Sequence, residues 1–207
     1  DYEKLESARR LSSSEYVLNS ALGFISLKQT LQTDQVLAIA YEYTYKGVTY
    51  QVGEFSTDRK VNTEVLFVKA LKNTACVPGM GNWDLMMKNV YALGATQVQK
   101  DKFRLDVKFL SDTTGVYLSY IPEPAVKDKK IIQLLGADRL DNQNKVGANG
   151  YFDYVEGYTV LSQSGRVFFP VVEPFGKGLA QALGSEELTK KYAFQELYDS
   201  TRTVARQ

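Results

Sequence analysis

The ten residues from Val36 to Tyr45 alternate without a fault. Leu37, Ile39, Tyr41, Tyr43 and Tyr45 fall on one side, and Val36, Ala38, Ala40, Glu42 and Thr44 on the other. A period of two over this length is a strand with one apolar, aromatic face. Lys46-Gly47 follows as a two-residue turn, with Gly47 free to take positive φ. Folding back in that register sets Tyr45 opposite Val48, Tyr43 opposite Tyr50 and Tyr41 opposite Val52, all on one face. The pattern predicts a core hairpin.

Composition narrows what such a strand belongs to. A chain of 207 residues is one large domain or two small ones, and it buries about 70% of its unfolded surface without staples. Fourteen Tyr and ten Phe against one Trp point to a β-rich body. The net charge of +1 gives no electrostatic case for nucleic acid or an anionic membrane. One cysteine, Cys76, excludes an intrachain disulfide. The absence of histidine removes Ser-His-Asp and Cys-His catalysis, the usual catalytic zinc sites and the physiological pH switch, and leaves carboxylate or lysine chemistry open. No run approaches the roughly 18 apolar residues of a spanning helix. The chain begins at Asp1 with no basic-then-apolar leader, so any signal peptide is expected upstream.

Further elements follow from local pattern. Helices are expected over Tyr2–Leu11, over Trp83–Leu93 between an Asn82 cap and Gly94, and over Lys130–Leu135 behind Asp128. Trp83, Met86, Met87 and Val90 fall at helical spacing, as a core stripe. Val65–Leu71 favours a strand. Phe103–Phe109 alternates as the clearest half-exposed strand, with Val116–Ile121 as its hairpin partner. Tyr158–Leu161 and Arg166–Phe169 form another hairpin around Ser164-Gly165. Phe175–Leu183 closes at Gly184, and Ser185 opens a last helix to about Tyr198. The fold expected is α+β and β-rich: antiparallel hairpins in a sandwich-like body with short peripheral helices. It is expected as a single soluble domain over 1–207, its weakest seam at 73–82.

Few motifs carry chemistry. In the polar loop Asp138–Asp153 and just beyond, Asn149, Asp153 and Glu156 stand at the offsets of the second half of an EF-hand loop. Lys145 and Gly147 occupy places where the first half needs carboxylates, and Asp138, Asp141 or Asn144 are alternative oxygen donors. Against calcium stands an ordinary Asn/Gly/Asp turn. No other cofactor is implied. Paired carboxylates for glycoside hydrolysis and phosphate-cradling loops have no support. Tyr117, Tyr151, Tyr154 and Tyr158 are candidate interaction residues, because tyrosine offers large contact area at low entropic cost.

Several stretches, in order, carry a family resemblance: DYEKLESARRLSSSEY, LGFISL, DQVLAIAYEYTYKGVTYQVGEFS, WDLMMKNVYALGA, DKFRLDV, LLGADRLDNQN, NGYFDYVEG, GRVFFPVVEPFG and LYDSTRTVA. Covering nearly the whole chain, they resemble the SprA/Sov family, the large outer-membrane translocon proteins of the type IX secretion system tied to gliding motility. The resemblance implies a segment excised from a much longer barrel protein in the cell outer membrane, on its extracellular or periplasmic face. It implies a passive, non-catalytic part in protein export. A PorV-type outer-membrane protein, a periplasmic plug protein and secreted cargo are the partners it implies. Val36–Tyr45 also has the look of a membrane barrel strand, but the charged outer faces of the other strands favour a soluble extension of the barrel. The competing class is a carbohydrate- or surface-binding module of a secreted adhesin; an enzyme comes last.

Overall fold

The structure, a computed structural model, describes residues 2–58, 65–75, 77–140 and 147–200. It divides into two compact units, Asp1–Cys76 and Val77–Gln207. The division falls inside the turn-rich 73–82 region expected as the weakest seam of one domain. Cys76 lies outside the described residues.

The first unit is built of hairpins. Strands β1 (Tyr16–Asn19) and β2 (Phe24–Leu27) pair antiparallel, with Gly23 at φ 68° in the turn. Next come β3 (Leu37–Ile39), β4 (Tyr41–Tyr45), β5 (Val48–Val52) and β6 (Lys69–Lys72). The long alternating run therefore changes partner at Ala40: β3 pairs with β6, and β4 with β5. Gly53 makes that switch possible. A Cβ there would stand 3.0 Å from the Ala40 Cβ, on a backbone already at φ 77°. The connection from β5 toward β6 is tied at Glu54, whose N–H donates to the Phe67 carbonyl at 2.7 Å while its carboxylate accepts from the Phe67 N–H at 2.8 Å.

The second unit holds the core. Strands β7 (Val90–Ala92), β10 (Val160–Leu161) and β11 (Arg166–Phe168) form one antiparallel sheet in the order β10-β11-β7. Strands β8 (Phe109–Leu110) and β9 (Tyr117–Leu118) form a separate hairpin. The helices are short: α1 (Ile131–Leu134), α2 (Leu179–Leu183), α3 (Glu186–Tyr192) and α4 (Glu196–Asp199). Ile121, Ile132, Leu135, Val160, Val167, Phe169, Leu179 and Tyr192 pack as one buried cluster. The class is α+β with antiparallel hairpins, but the strands lie in five small sheets among the described residues. Loops and short helices make much of the core that a larger sheet would otherwise supply.

Several local expectations are corrected. Residues 2–11 carry no helix. Ten residues are marginal for a helix unless a face packs, and here nearly all are exposed. Arg9 instead pairs with Glu15 at 2.7 Å. The helix expected over Trp83–Leu93 is a single 3-10 turn, Trp83–Leu85, followed by β7. Asn82 makes no side-chain cap bond there, and Met86 and Met87 are exposed rather than core. Phe103–Lys108 forms no strand. Phe103, Leu105 and Val107 still pack against the core, so the alternation reads the burial correctly without a strand. Of Val65–Leu71, the first four residues are irregular and exposed. Asp128 is not the cap of α1; Lys130 is, its N–H donating to the Gln133 side chain at 2.9 Å.

Candidate functional site

The hairpin β4–β5 forms in the expected register: Tyr41 faces Val52, Tyr43 faces Tyr50 and Tyr45 faces Val48. Lys46 and Gly47 both take positive φ, 50° and 80°, the pattern of the tight turn whose twist suits two antiparallel strands. The rings of Tyr43 and Tyr50 stack at 5.2 Å, and Tyr41 follows at 6.2 Å. On the opposite face the Thr44 and Thr49 hydroxyls stand 3.3 Å apart. The tyrosine face is not core. Tyr41, Tyr43, Tyr45, Val48 and Tyr50 are all exposed, with Tyr43 at 46%. Period two identifies which side chains share a face and says nothing of what covers it.

The four tyrosines expected as an interaction surface separate. Tyr117, Tyr151 and Tyr158 are exposed. Tyr154 packs: its ring stands edge-on to Phe103 at 5.1 Å, and its hydroxyl donates to the Val98 carbonyl at 3.2 Å and to Glu156 at 3.0 Å. Burial, then the neighbouring Glu156 carboxylate, pushes the Tyr154 phenol above its usual range. Tyr151 lies under the Lys130 ammonium, 4.4 Å from the ring centre.

The EF-like set is engaged locally. The Asn149 side chain accepts from the Tyr151 N–H at 2.8 Å, an Asx turn. Asp153 accepts from the Leu140 N–H at 2.7 Å. Glu156 accepts from the Ser162 N–H at 3.0 Å and from the Tyr154 hydroxyl. Each holds backbone or a neighbour in place. Asp141 and Asn144 lie outside the described residues. Among the described residues, no three acidic or cysteine side chains gather as a metal cluster.

Sequence reasoning missed the most connected polar site, around Glu173. This carboxylate is buried at 8% exposure. It meets Lys88 at 3.3 Å, Lys177 at 3.3 Å and the Gln195 amide at 3.0 Å. Burial raises its affinity for a proton, and the bonds from Gln195, Lys177 and Lys88 outweigh that, so it stays below the usual carboxylate range. Next to it, the Tyr91 and Tyr198 hydroxyls meet at 2.8 Å, the Phe175 N–H donates to Tyr198 at 3.0 Å, and the Trp83 indole donates to the Tyr198 carbonyl at 2.8 Å. Burial pushes both phenols up. The residues come from three distant stretches, so no local spacing announces them. Every group in this network is satisfied, and the arrangement anchors α4 rather than presenting a reactive atom.

Among the described residues no helix is long and apolar enough to cross a membrane. No protein-family model matches the chain, and no curated protein matches it.

Proposed function

We propose that the chain is a non-catalytic interaction segment of the type IX secretion translocon, serving protein export across the outer membrane and gliding motility. The observation that carries this reading is the ordered series of SprA/Sov-like stretches spanning nearly all of the sequence. The exposed tyrosine face of β4–β5 supports an interaction role. A two-stranded hairpin is marginal by itself, and a monomer seldom leaves a ladder of stacked aromatics to water without a use for it. The partners that the reading names are a PorV-type outer-membrane protein, the periplasmic plug protein and exported cargo.

The test uses the full-length parent. A photo-crosslinking amino acid replaces Tyr50, and a separate parent carries Tyr43→Ala with Tyr50→Ala. The reading expects crosslinks to a translocon component or cargo, and reduced export at unchanged parent abundance. Normal export together with no crosslink to any secretion component would sink it. Soluble glycan competing for the same face would favour the adhesin-module reading instead.

A further inference from the structure

The carboxylate of Asp138 is fully buried, at 0% exposure. Its Oδ2 accepts from the Gly150 N–H at 2.8 Å, and among the described residues its Oδ1 meets no donor. Among the described residues no ion pair reaches it. The nearby Lys130 ammonium is committed elsewhere, to the Gly150 carbonyl at 3.0 Å and the Tyr151 ring. An ionised carboxylate withdrawn from water with one backbone partner is costly unless a positive charge completes it.

A second buried carboxylate belongs to the same loop closure. The Asp153 N–H donates to the Ala137 carbonyl at 3.0 Å, next to Asp138, and the Asp153 side chain reaches across to the Leu140 N–H. Each aspartate thus holds backbone of the opposite segment, and both are buried.

We propose that Asp138, with Asp153 from the facing segment, binds a hard divalent cation of the calcium class, which ties the 138–140 and 149–153 segments together. Calcium accepts carboxylate, main-chain carbonyl and water oxygens in flexible geometry, so two carboxylates suffice as its charged donors. The ligand set differs from the EF-like one: it keeps Asp153, Asp138 enters, and Asn149 and Glu156 leave. A cation here stabilises the folded chain by mass action.

The test is thermal melting of the intact chain with calcium, magnesium or EDTA, together with terbium luminescence sensitised by tyrosine. Calcium at ten to a hundred times its dissociation constant is expected to raise the Tm by about 3–10 °C, and EDTA to reverse it. Asp138→Asn should abolish the shift. Glu156→Gln should leave the calcium response intact. A wild type indifferent to millimolar calcium overturns the proposal, and so does an Asp138→Asn protein that keeps the full shift. Should that variant not fold, Asp153→Asn with terbium titration decides, and undiminished emission there overturns it.

Discussion

Glu173 shows what a single residue holds together. Among the described residues it is the one carboxylate that meets both Lys88 and Lys177, and through Gln195 it reaches the approach to α4. Its folded-state pKa lies below the ordinary carboxylate value. Its contribution to stability is therefore complete above about pH 4.3 and is lost as pH falls through the folded-state value. Lys88 has the opposite sign. Burial lowers its pKa, but Asp84 and Glu173 outweigh that and raise it overall, so its contribution persists below about pH 10.4 and is lost at higher pH. Glu173→Gln should cost about 3 kcal/mol near neutrality, the low end for a broken buried pair, because Asp84 still faces Lys88. Its thermal stability should also depend less on pH between about 3 and 5 than wild type. Melting curves of both proteins across that range check this, and parallel pH profiles would show that Glu173 is not a principal acid-sensitive group.

At the scale of elements, turns were the most legible part of the sequence and pairing partners the least. Lys46-Gly47 and Gly184 do the jobs their positions advertise, and Ser185 caps α3 as expected, accepting from the Leu188 N–H at 3.5 Å. Trp83–Leu93 failed because β7 is recruited by β11, with Tyr91 opposite Val167. A partner so far along the chain leaves no trace in local spacing, and it overrides a weak helical pattern. Phe103–Lys108 failed in a different way: burial followed the period, yet no neighbouring strand supplied a ladder. Two turn glycines can be tested directly. Gly47 has open space around it, so Gly47→Ala should cost only the left-handed backbone penalty, about 1–2 kcal/mol of hairpin stability. A Cβ on Gly165 would overlap the Ala95 carbonyl oxygen, on a backbone at φ 58°. Gly165→Ala should therefore disrupt the β10–β11 turn and cost at least about 3 kcal/mol. Amide NMR of the hairpin reads the first, and chemical denaturation the second. A Gly165→Ala protein as stable as wild type would rule out this close approach.

At the scale of the whole molecule, the two units differ in what they bury. The second has a continuous apolar cluster from Ile121 to Tyr192. In the first, Phe24 is the only buried side chain among the described residues. Val17, Leu18, Tyr41, Tyr43, Tyr45, Val48, Tyr50 and the run Val65–Val68 all face water. The alternation that made Val36–Tyr45 the clearest strand in the sequence could not reveal this, since an apolar face looks the same whether its cover lies within the chain or outside it. Small hairpins without a core open at little cost, whereas core strands exchange only on global unfolding. Hydrogen exchange should therefore find the amides of β4–β5 at least about a hundredfold less protected than those of Val160 and Val167. On the proposed translocon reading, in which a longer parent supplies the cover, protection of Tyr41–Val52 should rise within that parent. Equal protection of both units in the isolated chain would mean that the first unit is stable without an added surface. The case for an interaction role would then lose its energetic basis and rest on the sequence resemblance alone.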